Sequence, residues 1–186
     1  MLTKKDIAHF KEHGYVVLPN FIDQHQISEW NDQFWTHISA HPENPTTWPD
    51  NYVIDDFSTN PLFGRLTQME EVVKQLGGGD FSGGGGSMLV QWPKHDGHWN
   101  MPESGHIDGY GPNGWSGGFM LGATAYLEDV NDEGGAFVFW PGSHHKTHQY
   151  FLENPTHIDG SFTERDDWQS RNWRIFSDRS KRSPEQ

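Results

Sequence analysis

The stretch FMLGATAYLEDVNDEGGAFVFW, residues 119–140, constrains the fold more than any other. Two apolar runs rich in aromatic and branched residues flank EDVNDEGG, an acidic turn with two glycines. Runs of this length bounded by turn residues read as buried strands. Shortly before them stands His106-Ile107-Asp108. Residues two apart on extended backbone share one side, so this imidazole and this carboxylate can reach a single ion. A second histidine from elsewhere would complete a two-histidine, one-carboxylate facial triad, which leaves positions open on Fe(II). The plainer alternative is a histidine and an aspartate capping the turn before GYGPNG.

The combination of HID, the two apolar runs with their acidic turn, and the PGSHH that follows at 141–145 is more specific than HID alone. It resembles the phytanoyl-CoA dioxygenase family of Fe(II)- and 2-oxoglutarate-dependent oxygenases. The opening LTKKDIAHFKEHGYVVLPNFI is similar to that family's start, so the resemblance covers about residues 2–145. It implies a mainly β fold with flanking helices, a double-stranded β-helix or cupin-like jelly roll. It also implies His106 and Asp108 as metal ligands, with no catalytic residue beyond them, Fe(II) as metal and 2-oxoglutarate as cosubstrate. The implied reaction is hydroxylation of a C–H bond in a small organic substrate by dioxygen, with decarboxylation of 2-oxoglutarate to succinate. Thr124 falls where such proteins place a side chain beside 2-oxoglutarate, and Gln91 on the preceding strand is a second candidate for cosubstrate contact. The family pattern continues past PGSH with a second histidine ligand and an arginine. No residue here matches either, and the chain is expected to be a fragment that stops short of the last strands.

Taken in order, Thr3 and Asp6 form a capping signal, Ile7 and Phe10 share a helical face, and Gly14 is a stop. Residues 15–18, YVVL, read as a short strand. Ile27, Trp30, Phe34 and Ile38 recur at helical spacing across 23–40. The three prolines of 41–59 predict a loop, with a short strand at 52–54. Asn60-Pro61 opens a third helix carrying Leu62, Leu66, Met69, Val73 and Leu76, stopped by Gly77. The segment GGGDFSGGGG lacks the lysine and hydroxyl residue of a phosphate loop and reads as a connector. A strand is expected over 87–92, another over 119–127 and a third over 136–140. Residues 146–186 are polar with scattered aromatics, and one domain over 1–186 accounts for the whole.

A formal net charge of -13 without a basic cluster argues against nucleic acid as partner. There is no cysteine, which excludes thiolate metal sites and disulfides. No apolar run approaches a membrane span, and a cytoplasmic protein is expected. With 33 % hydrophobic residues but nine tryptophans, aromatic side chains must supply much of the core.

The remaining histidines give rival readings. His95 and His98 near His106 suit a His-rich, cupin-like metal protein, and loss of the triad suits a shortened jelly roll that only binds. His157 and Asp159 repeat HID without an apolar run behind them, so the metal pair is assigned to His106 and Asp108. His144 reads as structural. Tyr110 and Trp115 either line a substrate mouth or cover the core edge.

Overall fold

Helix formation begins where the capping signals stand. Helix α1 (Lys4–His13) is opened by Thr3, whose hydroxyl accepts from the Asp6 N–H at 3.2 Å. The Asp6 carboxylate in turn accepts from the Thr3 N–H at 2.8 Å and from its hydroxyl at 2.7 Å. The helix ends at Gly14, whose φ of 85° is the left-handed conformation glycine tolerates best. The hydrogen bonds from the Thr3 side chain and then its backbone hold the Asp6 carboxyl below the usual carboxylate range. Its depressed folded value makes the cap's contribution complete above the unfolded value, near 3.9, and lost as pH falls through the folded one. The protection of the first-turn amides of α1, taken relative to the intrinsic exchange rate at each pH, is therefore expected to fall below about pH 4. Asp6→Asn should flatten that dependence, and an unchanged profile would count against the cap.

The computed structural model of the chain describes residues 1–49, 67–79, 90, 92, 106–108, 110–111, 114–115, 121–131 and 134–159. The chain, read above as one domain, gathers its contacts in two units. The first comprises Met1, 17–98 and 124–135, the second 2–16, 99–123 and 136–186.

In the first unit, α2 (Gln24–His37) is capped by Asp23 and buries Trp30 and Phe34, as the spacing of apolar residues predicts. A 3-10 turn follows at Pro45–Thr47 within the proline-rich loop. Helix α3 (Thr67–Gly77) buries Val72 and Leu76, so its inward face centres on Val72 rather than the Val73 of the sequence pattern. The start expected at Asn60-Pro61 lies outside the described residues. Trp35, Trp48 and Trp92 stand with ring centroids 5.1–5.9 Å apart. Trp92 also lies 6.4 Å from Phe34, making this an aromatic cluster rather than an aliphatic core. Asn31 donates to the Leu127 carbonyl and the Glu128 carboxylate, both at 3.0 Å, and so ties the acidic turn to α2.

In the second unit, Tyr110–Gly111 (β1) pairs with Gly114–Trp115 (β2) as an antiparallel hairpin. Helix α4 (Ser143–Glu153) sets Phe151 against Tyr110, edge to face at 5.2 Å. The short helix α5 (Thr156–Asp159) packs on β2. The end of α1 is tied to the start of α4: Gly142 donates to the His13 carbonyl at 2.7 Å, and Tyr15 lies 4.6 Å from Phe139.

These elements overturn the mainly β, jelly-roll expectation. Among the described residues about 49 % are helical, and the two-residue hairpin is the one ladder. Residues 15–18 and 121–127 are not strands, and 136–140 carries a single bridge at Phe139. Val90 and Trp92 are outside any strand, while 52–54 lies outside the described residues. A strand exists only through hydrogen bonds to a partner, whereas the apolar pattern reports only a wish for burial. Here even that is unmet, since residues 122–126 are exposed, Tyr126 by 48 %.

Residues 143–153 form a helix where the sequence pattern offers no clear start. Gly142 at its N-cap makes no side-chain cap bond. The signal that does exist is Thr147, Tyr150 and Phe151 at helical spacing, half-buried or buried.

Candidate metal site

His106, Ile107 and Asp108 lie on irregular backbone leading into the hairpin, not on a strand. The turn is closed by the Tyr110 N–H, which donates to the Ile107 carbonyl at 3.1 Å. Tyr110 is itself 4 % exposed against Phe151, so the turn is anchored to the second unit's core immediately beyond the HID. On this turn His106 Nε2 stands 3.0 Å from Asp108 Oδ1, and the side chains are 75 % and 73 % exposed. The structure thus brings the two predicted ligands together and leaves them open to solvent.

The donor set suits a divalent ion. Nitrogen and oxygen ligands at bond lengths of about 2.0–2.2 Å in adjacent octahedral positions stand about 3.0 Å apart. The observed separation equals that edge. Without an ion the same contact is a hydrogen bond or ion pair between the two side chains. Among the described residues no third histidine or carboxylate converges with them.

Thr124 is exposed and belongs to the first unit, in a stretch with no strand. Gln91, His95 and His98 lie outside the described residues. Tyr110 is a core residue, and Trp115 occupies the register position opposite it on β2. His144 donates from Nε2 to the Lys11 carbonyl at 3.0 Å, a structural engagement. His157 and Asp159 fall on α5, and the His157 Nδ1 is 2.7 Å from the Tyr150 hydroxyl, so that ring is occupied within the fold. Sequence reasoning passes over His9 and His13, although a spacing of four on a predicted helix is their signal.

Comparison with protein-family models, with curated proteins and with solved structures finds no match to this chain. Among the described residues no helix is long and apolar enough to cross a membrane.

Proposed function

We propose that the chain is an Fe(II)- and 2-oxoglutarate-dependent dioxygenase that hydroxylates a C–H bond of a small organic substrate. The observation that carries this reading is the 3.0 Å approach of His106 Nε2 to Asp108 Oδ1 on an exposed, core-anchored turn. The HID, acidic-turn and PGSHH motifs support it through their resemblance to the phytanoyl-CoA dioxygenase family.

His106 and Asp108 would hold Fe(II) through one imidazole nitrogen and one carboxylate oxygen. The metal, when bound with 2-oxoglutarate, supplies the oxidising chemistry. The chain's own part is to fix the two donors. The Tyr110–Ile107 hydrogen bond limits the turn between them, and burial of Tyr110 against Phe151 limits its movement.

The test is an anaerobic titration of the chain with Fe(II) and 2-oxoglutarate, followed by the visible charge-transfer absorption of the chelated cosubstrate. The expected result is a saturable band, lost in both His106→Ala and Asp108→Ala, with succinate formed on admitting dioxygen. Fe(II) bound through the pair with neither band nor succinate would sink the oxygenase reading and leave a simple metal site.

A further inference from the structure

We propose that His9 and His13 form a second, bidentate site for a borderline divalent cation of the Cu(II) or Zn(II) class on the half-buried face of α1. Residues four apart on a helix lie one turn above the other on the same face. Here the two imidazole rings are 4.4 Å apart between centroids and inclined at 49°, close enough for one nitrogen of each to reach a shared ion. Both residues are half-buried, with the His13 side chain 38 % exposed, so an ion has access from solvent.

The scaffold is held in place before any ion arrives. The Tyr15 ring meets His9 edge-on at 4.8 Å and is itself packed on Phe139 at 4.6 Å. The last turn of α1 is pinned by two hydrogen bonds, from Gly142 N–H to the His13 carbonyl and from His144 Nε2 to the Lys11 carbonyl. The backbone carrying His13 is thus fixed before binding, which lowers the ordering cost of chelation by even two ligands. The Glu12 carboxylate, 3.9 Å from His13 Nε2, adds negative charge beside the pair. Imidazole donors without any thiolate select Cu(II), Ni(II) and Zn(II) over Mg(II) or Ca(II), with Cu(II) bound most tightly. Water would complete the coordination.

The same spacing recurs at His144 and His148 on α4, but it does not make an equivalent site. There His144 Nε2 is committed to the Lys11 carbonyl. This difference makes the proposal specific to α1.

The test uses the full chain carrying His106→Ala, so that the other pair does not report, with Cu(II) alone as the probe. Imidazole NMR signals are followed at substoichiometric Cu(II), and affinity is measured by calorimetry. The signals of His9 and His13 are expected to broaden first. His9→Gln and His13→Gln should each weaken Cu(II) binding by at least about tenfold, the lower end of what even an outer-shell partner is worth at a metal site. The double variant should be little worse than either single one, and His148→Gln should leave binding unchanged. Far-UV circular dichroism of each variant checks that α1 persists. Broadening that begins at other histidines, or affinity unchanged in both α1 variants, would overturn the proposal.

Discussion

Replacing Phe151 by alanine is expected to lower the free energy of unfolding by about 3–5 kcal/mol, the range for removing a buried aromatic ring from a core. Phe151 is 2 % exposed, the most buried apolar residue among those described. Its ring meets Tyr110 at 5.2 Å and Tyr150 at 5.5 Å, both edge to face. Truncation therefore leaves a cavity between α4 and the hairpin and removes two favourable aromatic contacts. Leu152, its neighbour, is 62 % exposed and serves as the control. Leu152→Ala should change stability by no more than about 0.5 kcal/mol. Urea titrations at matched m-values give both numbers, and a Phe151→Ala loss below about 1 kcal/mol would remove this residue from the core. The effect should reach the candidate metal site. Tyr110 packs on Phe151 and closes the His106–Asp108 turn through Ile107, so Fe(II) affinity should fall in Phe151→Ala and not in Leu152→Ala.

Gly14→Ala carries the second-largest expected loss, about 2–3 kcal/mol in total. Two separate causes contribute. At φ 85° a Cβ strains the backbone by about 1–2 kcal/mol. That Cβ would also sit 2.5 Å from His144 Nδ1. The imidazole must then swing away and give up its bond to the Lys11 carbonyl, a net loss of about 1 kcal/mol. The two causes separate in a double-mutant cycle. In a His144→Ala background the clash is gone, and Gly14→Ala should cost only the backbone strain. A coupling of about 1 kcal/mol is expected. Strict additivity would mean that the His144 ring does not rest on Gly14 in solution.

Helix α1 was legible because everything that shapes it is local. The Thr3–Asp6 reciprocal bonds span three residues, and Gly14 ends the helix through its own backbone freedom. The same holds for α2, where Trp30 and Phe34 fall on one face by periodicity alone. The adjacency of His106 and Asp108 was also accessible, because Ile107 alone separates them, although an irregular turn and not a strand brings them together. That 121–127 and 136–140 form no strand was not, because an apolar run signals a preference for burial without supplying the hydrogen-bonding partner, and 122–126 found neither partner nor burial. Helix α4 was missed for the converse reason. Its sequence, SHHKTHQYFLE, is largely polar, and the single buried ring of Phe151 carries its packing.

Sequence alone therefore determined the ends of α1, the inward face of α2, the absence of thiolate chemistry and the placing of an imidazole beside a carboxylate at 106–108. Tertiary structure decided which apolar segments found partners. It set Phe151 on Tyr110, gave His144 to the Lys11 carbonyl and His157 to the Tyr150 hydroxyl, and left 122–126 exposed. The physical reason is range. Caps, turns and i,i+2 or i,i+4 neighbours are fixed within a few residues of backbone geometry. Core contacts such as Phe151 on Tyr110 join residues tens of positions apart, and their formation depends on loop closure and on which competing surfaces bury first.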